Sequence, residues 1–319
     1  MVGSKVVVRV PATTANLGPG FDCLGMALAL YNTVTVHATT GGLSVRIEGE
    51  GAEDLRWGEE NRVLRAMRLA FQEVGERLPG LSIELQNEIP LGRGLGSSAA
   101  ATVGGLVAGN ALCGNPLPTD RLLALATQLE GHPDNVAPAL LGGLVIAVQD
   151  ERGLIYERLD APSDLRAALF VPDFAMPTAE ARRVLPAHVS RADAVFNMGR
   201  VALLVAAMAR RRYDLLDAAT RDRLHQPYRE AIFPAMPALF DAARKAGALG
   251  VFLSGAGSTI IALCREDAYA VADAMARAAQ DMDLAGKPLV APLADEGAQA
   301  ELTRPPRRRP AKQPPADHW

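Results

Sequence analysis

The stretch Pro90-Leu-Gly-Arg-Gly-Leu-Gly-Ser-Ser-Ala-Ala100 joins a glycine-rich loop directly to a helix of small residues. Its three glycines at alternate positions let a backbone approach a ligand closely. Two serines then begin the helix, whose free N–H groups and dipole favour an anion, and Arg93 adds positive charge. The pattern predicts a cradle for a di- or triphosphate. A glycine turn that only caps a helix has the same pattern, so that alternative stays open.

Outward from this loop, predicted strands and helices mix without a regular βαβ alternation, which favours an α+β fold. Residues 61–74 have the apolar spacing of a helix. Residues 33–38 and 43–47 alternate across a Gly-Gly turn and predict a hairpin. We expect two lobes and a tail, with residues 1–158 in the first lobe, 159–300 in the second and 301–319 in a disordered, basic, Pro-rich tail.

Composition bounds the class of protein. The chain has 319 residues, of which 49% are hydrophobic and 22% charged, as in core-forming globular proteins. Its apolar runs are shorter than the roughly 20 residues that a bilayer requires, and no secretion signal is evident. Three widely spaced cysteines indicate reduced core residues. We therefore expect a cytoplasmic protein with no membrane partner.

The net charge of −3 argues against nucleic acid as the main partner. Basic residues do cluster near the C-terminus, in Arg304-Pro-Pro-Arg-Arg-Arg309 and Lys312. That segment is Pro-rich and almost without apolar residues, which is typical of a solvated tail. An anion-binding arm is the alternative.

The segment Glu130-Gly-His-Pro-Asp-Asn135 places several polar side chains together. A carboxylate beside a phosphate loop suits Mg²⁺, which prefers oxygen ligands and the substrate's own phosphates. A polar loop with an Asp-Asn turn explains the same residues. Only the pairing with the loop at 90–100 raises the metal interpretation to equal standing.

Two further glycine-rich segments lie nearer the two ends of the chain. In Pro11-Ala-Thr-Thr-Ala-Asn-Leu-Gly-Pro-Gly-Phe-Asp22, the carboxylate of Asp22 stands between apolar neighbours and needs a partner. A ligand ammonium group would serve, and so would a local arginine. The segment Leu253-Ser-Gly-Ala-Gly-Ser-Thr259 lies between two predicted strands, where an ordinary hairpin turn is the simpler explanation.

Together these four segments resemble, in their order, the small-molecule kinase superfamily of galactokinase, homoserine kinase, mevalonate kinase and phosphomevalonate kinase. Residues 11–25, 132–143, 177–186 and 226–234 look like the homoserine kinase family in particular. The resemblance covers about residues 5–295. It implies an N-terminal lobe with a left-handed βαβ crossover and a ferredoxin-like C-terminal lobe, with ATP and Mg²⁺ used to phosphorylate a small molecule.

The resemblance also implies roles residue by residue. The backbone of the glycine-rich loop would hold the ATP phosphates, and Ser98 with Glu130 would ligate Mg²⁺. The nucleotide-binding residues are expected to be Asn61, Val63, Pro90, Leu91, Gly92, Arg93, Gly94, Leu95, Gly96, Ser97, Ser98, Ala99 and Ala100.

For L-homoserine, a zwitterion with a terminal hydroxyl, the resemblance implies two arginines on the carboxylate and an acid on the ammonium group. The substrate-binding residues are expected to be Asn16, Asp22, His132, Asp134, Arg182 and Arg229. The residues around the reacting hydroxyl, and hence the catalytic candidates, are Asn16, Asp134 and Asn135. Asp134 is only a candidate for the base.

Two departures from the superfamily pattern stand out. In the segment at residues 253–259, which resembles the third motif of the superfamily, Ser258 replaces the usual proline, and we expect this change to loosen the turn. The segment between Glu130 and His132 is shorter than in several relatives, so the metal role of Glu130 depends on where the gap falls. Two alternative functions stay open, a mevalonate-type kinase and a silent metabolite or ATP sensor, and the family suggests a homodimer.

Overall fold

The computed structural model describes residues 1–53 and 60–305, which form two β-sheets and the helices around them. The strands are β1 Lys5–Asn16, β2 Gly20–Thr39, β3 Leu43–Gly49, β4 Gly80–Asn87, β5 Leu144–Asp150, β6 Gly153–Leu159, β7 Arg166–Pro172, β8 Gly250–Leu253, β9 Ile260–Cys264, β10 Gly286–Pro292 and β11 Gln299–Thr303. The helices are α1 Arg62–Val74, α2 Ser97–Leu112, α3 Thr119–Glu130, α4 Pro133–Leu141, α5 Thr178–Arg183, α6 Arg191–Ala209, α7 Leu216–Ala219, α8 Gln226–Arg229, α9 Met236–Lys245 and α10 Ala268–Gln280, with a 3-10 turn at Tyr213–Leu215.

The first sheet has seven strands, in the order β11-β1-β2-β4-β3, with β5 paired to β2 and β6 to β5. The hairpin expected between residues 33–38 and 43–47 is wrong. Strand β4 lies between β2 and β3 and pairs with both, so the Gly-Gly turn leads to a strand that is not adjacent. Of the described strand pairs, only β3–β4 is parallel, and α1 connects the two. The left-handed crossover expected there stays a prediction.

The second sheet has four antiparallel strands in the order β10-β7-β9-β8. Numbered within this half of the chain, that order is 4-1-3-2, the order of a ferredoxin-like sheet. Helices α9 and α10 pack against it. The expected α+β fold with a ferredoxin-like second half is confirmed.

The C-terminal part of the chain returns to the first sheet. Strand β11 runs antiparallel to β1, with Arg9 opposite Gln299 and Lys5 opposite Thr303. The prediction of a tail from residue 301 is therefore wrong for residues 301–303. These residues belong to β11, which has only five residues and shows no recognisable strand pattern in the sequence. Residues 306–319 of the predicted tail lie outside the described residues. The division into lobes near residue 159 stays a proposal.

Helix α2 follows the glycine loop, as residues 90–96 are called below, and packs against both α1 and the first sheet. Asn61 caps the start of α1, and its side chain accepts hydrogen bonds from the N–H groups of Val63 and Leu64 at 3.0 and 3.4 Å. A Cβ on Gly105 of α2 would lie 2.4 Å from the carbonyl oxygen of Val63. The small residues of α2 are therefore required, because they let the two helices pack closely.

The sequence does not predict helix α4, since a polar loop and a metal site are the two interpretations it offers for residues 130–135. Pro133 stands in its first turn, a position that suits proline because the missing N–H has no partner there. Pro138 inside the helix disguised the pattern, since proline normally breaks a helix. The consequence is that Asp134 and Asn135 stand at a helix N-terminus.

Within the described part of the chain, α6 is the one helix long and apolar enough to cross a membrane by length and composition. A single helix of this kind is weak evidence. Its Asn197 is buried and donates hydrogen bonds to the carbonyl of Pro19 and to the Asp222 carboxylate, at 3.1 and 2.7 Å. The expectation of no membrane partner stays a prediction.

Candidate active site

A cavity of about 620 Å³ lies where the two halves of the chain meet around the glycine loop. Its walls bring together segments that are far apart in sequence. They include Asn61, Val63, Pro90, Leu91, Gly92, Gly94, Leu95, Gly96, Ser97, Ser98, Ala99, Glu130, His132, Asn135, Met176, Pro177, Thr178, Gly255, Ala256 and Gly257. Most of the expected nucleotide-binding residues therefore line one cavity.

The surrounding structure holds the glycine loop through hydrogen bonds to the loop's carbonyl groups. All four consecutive carbonyl oxygens of residues 92–95 accept hydrogen bonds from the surrounding structure. With the carbonyls engaged there, the amides are available to an anion. The donors are the N–H of Met176 to Gly92 at 3.1 Å, the N–H of Thr259 to Arg93 at 3.1 Å, the hydroxyl of Ser254 to Gly94 at 2.6 Å and the N–H of Thr13 to Leu95 at 3.1 Å.

Glycine is required at two positions of this loop. Gly94 and Gly96 have φ angles of 78° and 70°, in the left-handed region. A Cβ on Gly94 would lie 2.1 Å from the Ser254 carbonyl oxygen, and one on Gly96 would lie 1.9 Å from the Thr13 hydroxyl. Any larger residue would move the loop away from its supports.

The charge of Arg93 is directed away from the cavity, because its guanidinium is occupied by backbone carbonyls. It donates to Pro172 at 2.7 Å, to Leu91 at 2.9 Å and also to Asp173. Sequence reasoning treated Arg93 as added positive charge for a phosphate. In the structure its side chain instead fastens the loop to the end of β7.

The start of α2 offers unpaired N–H groups beside the loop. Its N-cap is Gly96, and within the described residues no side chain caps this helix. The first N–H groups of a helix carry a partial positive charge and bind anions readily. Loop and helix together therefore present a set of backbone N–H groups that is chemically suited to an anion.

Glu130 stands next to this site. Its carboxylate accepts hydrogen bonds from Ser98 at 2.6 Å, from Thr102 at 2.7 Å and from Arg62 at 3.0 Å. The structure thus brings Ser98 and Glu130 together despite the short segment that follows Glu130. Among the described residues no group of three or more His, Cys, Asp or Glu could hold a metal. A hydroxyl and one carboxylate still fit Mg²⁺, which takes its other ligands from phosphates and water.

The charged cluster, as Asp22, Arg182 and Arg229 are called below, lies beyond Gly255. Asp22 and Arg182 form a two-pronged ion pair at 3.0 and 2.6 Å. A local arginine is therefore a partner of Asp22, which was one of the two alternatives left open. Both side chains are more than a third exposed, so the pair is accessible from solvent.

Arg229 is fully buried, with 1% of its surface exposed. Its NH1 group donates to the carbonyl of Gly255 at 2.7 Å and to Nδ1 of His225 at 3.1 Å. Burial, followed by repulsion from Arg182, lowers the pKa of Arg229 to about 10. The guanidinium therefore remains charged at neutral pH, so Arg229 is a buried cation.

Asn16 connects the two halves rather than standing free. Its Nδ2 donates to the carbonyl of Gly255 at 2.9 Å, and its Oδ1 accepts the N–H of Asp22 at 3.0 Å. Asn16 has φ 71°, and Asp22 has φ 59°. These contacts hold the start of β2, which carries Asp22, while the hydroxyl contact expected from the resemblance stays a prediction.

His132, Asp134 and Asn135 meet at the start of α4. Asp134 is buried, and its Oδ1 lies 2.6 Å from Nδ1 of His132. That hydrogen bond raises the pKa of His132. The Oδ1 of Asn135 accepts the Thr13 hydroxyl at 2.9 Å. His132 and Asn135 line the cavity, so this cluster faces the glycine loop.

Comparisons with known proteins identify the family. The model of the GHMP kinases N terminal domain matches residues 61–143, and that of the GHMP kinases C terminal region matches residues 204–281. The homoserine kinase of Carboxydothermus hydrogenoformans is 48% identical over 261 residues, which cover 82% of this chain and 86% of that protein. That of Synechococcus sp. is 46% identical over 300 residues, covering 93% and 98%. The chain belongs to the homoserine kinase family.

A solved homoserine kinase structure agrees with this family. The crystal structure of homoserine kinase from Cytophaga hutchinsonii has a TM-score of 0.86 and 32% identity, covering 94% of this chain and 98% of that chain. The L. major mevalonate kinase, at 15% identity and a TM-score of 0.64, shares the fold alone. The expected family, fold and kinase class are confirmed.

Sequence reasoning missed several residues of the site in this member of the homoserine kinase family. Thr102 stands one helical turn after Ser98, which is the signal that could have placed it on the same face. Arg62 follows the N-cap of α1 and gave no signal of its own. His225 stands four residues before Arg229, a helical spacing that was not used. Their contacts depend on elements packed from elsewhere in the chain.

The third motif proves to be both a hairpin and a support. Residues 254–259 connect the paired strands β8 and β9, as the simpler interpretation held. Two of these residues, Ser254 and Thr259, also hold carbonyls of the glycine loop. Ser258, expected to loosen the turn, donates its hydroxyl to the carbonyl of Phe174 at 2.6 Å. That hydrogen bond ties the turn to the segment after β7.

The cysteines take no part in this chemistry. Burial, followed by repulsion from Asp134 and Asp22, raises the pKa of Cys23 to about 11. Burial also raises the pKa of Cys264 to about 11. Both therefore remain neutral thiols, which agrees with their interpretation as unreactive residues.

Proposed function

We propose that the protein transfers the γ-phosphoryl group of ATP to the side-chain hydroxyl of L-homoserine, giving O-phospho-L-homoserine for threonine biosynthesis. The observation that supports this most is the position of Gly255. It lines the same cavity as the glycine loop, and its carbonyl accepts from both Asn16 and Arg229. An anion site of backbone and a charged cluster of side chains therefore flank one cleft.

The nucleotide would bind with its phosphates on the glycine loop and the start of α2. The support is the loop's geometry, in which four carbonyls are engaged and the amides are available. Asn61 and Val63 line the far side of the same cavity, next to the first turn of α1. They are the proposed neighbours of the adenine.

Ser98 and Glu130 are the proposed ligands of Mg²⁺, which would neutralise charge on the transferring phosphates. The donor set supports this, since a hydroxyl and a carboxylate 2.6 Å apart are hard oxygen ligands beside the anion site. Arg62 and Thr102 orient the carboxylate from two further directions. Supports of this kind preserve a metal ligand's geometry.

The charged cluster fits a zwitterion. An Asp–Arg ion pair offers one charge of each sign at its accessible edge, so a substrate ammonium would bind Asp22 while its carboxylate binds Arg182. Arg229 would add a second cation for the carboxylate, where a planar guanidinium suits a planar anion. Homoserine would then lie with its hydroxyl pointing toward His132, Asp134 and Asn135.

In the proposed transfer, the homoserine hydroxyl oxygen attacks the γ-phosphorus in line, and the bond to the β–γ bridging oxygen breaks as ADP leaves. Positioning and charge neutralisation would supply most of the rate. The hydroxyl proton would pass to solvent or to Asp134. The hydrogen bond between Asp134 and His132 would keep the Asp134 carboxylate near the hydroxyl. Asp134 therefore remains the candidate base.

A coupled assay of ADP release tests this function, with L-homoserine, mevalonate and galactose as separate substrates. We expect turnover with homoserine alone. Turnover with mevalonate would favour the mevalonate-type alternative, because mevalonate has no amine for Asp22 to bind. No ADP with any substrate, while ATP still binds by calorimetry, would favour the silent sensor.

The remaining proposals concern partners and location. We propose a cytoplasmic enzyme that acts without nucleic acid or membrane and forms a homodimer, as the family suggests. An arm that binds nucleic acid would give salt-sensitive retention on immobilised DNA that is lost on deletion of residues 303–319. We expect no such retention at physiological salt.

A further inference from the structure

A buried histidine stands between the two charges that the proposed function gives to homoserine. His225 immediately precedes α8 and has none of its surface exposed. Its Nε2 lies 2.6 Å from the carbonyl oxygen of Gly18, and its Nδ1 lies 3.1 Å from NH1 of Arg229. One ring therefore contacts the loop that leads to Asp22 and the guanidinium of Arg229.

These two contacts fix the protonation state of the ring. A guanidinium only donates hydrogen bonds, so Nδ1 must accept; a carbonyl only accepts, so Nε2 must carry the proton. The ring is therefore neutral, in the Nε2–H tautomer. Burial, which lowers the pKa of His225 to about 4, agrees with this geometry.

Asp222 does not compete for the ring. Its carboxylate lies 3.6 Å from Nε2, beyond a good hydrogen bond. It instead accepts hydrogen bonds from the side-chain amide of Asn197 and from the backbone N–H groups of Leu224, His225 and Gln226, which lead into α8. The carboxylate is thus occupied in holding the backbone from which His225 projects.

His225 also determines which part of Arg229 is available. NH1 of Arg229 is used by His225 and Gly255, and Nε lies 3.4 Å from the carbonyl of Ala181. None of these hydrogen bonds uses NH2 of Arg229. The ring therefore orients the guanidinium so that a single edge remains for a ligand.

The aromatic contact of Phe21 completes the link to Asp22. The Phe21 ring centroid lies 5.2 Å from that of His225 and 5.7 Å from the Arg229 guanidinium. Phe21 directly precedes Asp22 at the start of β2, and Gly18 lies in the turn before that strand. A shift of the His225 ring would therefore move the start of β2 and Arg229 relative to one another.

We propose that His225 is a positioning residue that sets the distance between the carboxylate anchor and the ammonium anchor, and so makes the site specific for α-amino acids that carry both groups. This inference rests on the proposed function. It predicts that His225 matters for homoserine but not for 3-amino-1-propanol, which has the same amine and hydroxyl and lacks the carboxylate.

The test measures steady-state constants of wild type and His225→Phe with homoserine, 3-amino-1-propanol and ATP. The phenylalanine keeps a ring but removes both hydrogen bonds. We expect the homoserine KM to rise about ten- to a hundredfold, as for loss of a charge-assisted contact. The ATP KM and the kcat/KM for 3-amino-1-propanol should change less than about threefold, within ordinary context dependence.

Two further variants make the test independent of folding damage. His225→Asn places an acceptor where Nδ1 stands, so its homoserine KM should fall between those of wild type and His225→Phe. The exposed His188→Phe is the matched control and should behave as wild type. Equal losses with both amines, or an unchanged homoserine KM in His225→Phe, would overturn the positioning role while leaving the proposed function intact. A wild type inactive on homoserine would overturn both.

Discussion

The glycine loop lines the cavity and the charged cluster lies behind Gly255 of the same cavity, and the two regions differ in what they offer a ligand. The loop presents backbone, and its shape depends on four carbonyls held from outside. The charged cluster presents side chains from positions 22, 182 and 229, which are brought together only by the folded chain. A site made of backbone is local in sequence, whereas a site made of side chains is assembled from distant segments.

The difference also determines how each region fails. A substitution in the loop displaces a whole set of amides together, so it should damage nucleotide binding and stability at once. A substitution at Asp22 or Arg182, the two accessible members of the charged cluster, removes one charge and leaves the backbone in place. Its effect should be confined to one substrate. The following predictions use that contrast.

The largest effect on the rate is expected at Glu130, whose carboxylate lies beside the glycine loop and is a proposed ligand of Mg²⁺. Glu130→Gln keeps the shape but removes the charge that faces Ser98. We expect kcat to fall about 10²–10³-fold, as for loss of one key electrostatic contact in a transition state, and the Mg²⁺ concentration for half-maximal rate to rise. A Mg²⁺ titration of initial rates measures both. Glu73→Gln, in the exposed pair with Arg121, is the control. An unchanged Mg²⁺ dependence would contradict the metal role.

Gly94→Ala tests the backbone cradle directly. Because the new Cβ would meet the Ser254 carbonyl at 2.1 Å, the loop must shift, and a misplacement of about 1 Å can cost about a hundredfold in rate. We expect kcat/KM for ATP to fall by about that factor, and the free energy of unfolding to fall by about 1–3 kcal/mol.

The matched control is Gly199→Ala in the exposed part of α6, where nothing lies within 4 Å. It should leave ATP kinetics unchanged and stabilise the helix by up to about 1 kcal/mol. Urea unfolding and ATP kinetics on both variants complete the comparison. If Gly94→Ala bound ATP as wild type does, the loop would not be the phosphate site.

Asp22→Asn tests the charged cluster alone. One charge-assisted contact contributes roughly 1.5–3 kcal/mol, so we expect the homoserine KM to rise about ten- to a hundredfold. The ATP KM should stay constant, because Asp22 contacts Arg182 and Asn16 but no part of the glycine loop. Steady-state kinetics with each substrate varied in turn measure this split. A rise confined to ATP would overturn the assignment.

The smallest expected effect is a pH dependence at His132. Its hydrogen bond to Asp134 raises the pKa of the ring in the folded state. The stabilisation is therefore complete below the unfolded value near 6.5 and is lost as the pH rises through the folded value. Urea unfolding should show His132→Gln about 0.5–1.5 kcal/mol less stable than wild type at pH 5.5.

That gap should be smaller at pH 8.5, where the wild-type ring is less protonated than at pH 5.5. His188→Gln, at an exposed position, is the control substitution and should have the stability of wild type. A His132 gap that grows with pH would reverse the sign and contradict the ion pair with Asp134.

Local features of the fold could be predicted from the sequence. The helices at 62–74 and 97–112 follow from apolar spacing and from the serines after the glycine loop. Strand pairing could not be predicted in the same way. Strand β4 lies between β2 and β3, and β11 pairs with β1 from the far end of the chain. Both pairings depend on long-range contacts that no local pattern records.

The candidate site divides along the same line. The glycine loop was predicted from spacing alone, because its chemistry is that of its own backbone. Asp22 was recognised as needing a partner, but only the structure identifies Arg182 as that partner. His225 has its partners at positions 18 and 229. Its role depends on three-dimensional contacts, so the sequence did not indicate it.

A crystal structure with a non-hydrolysable ATP analogue, Mg²⁺ and L-homoserine would locate both substrates in the same protein. We expect the triphosphate against the amides of residues 94–100, with the homoserine carboxylate on Arg182 and Arg229 and its hydroxyl facing the γ-phosphate. A triphosphate bound away from the glycine loop, or a homoserine carboxylate far from both arginines, would contradict it.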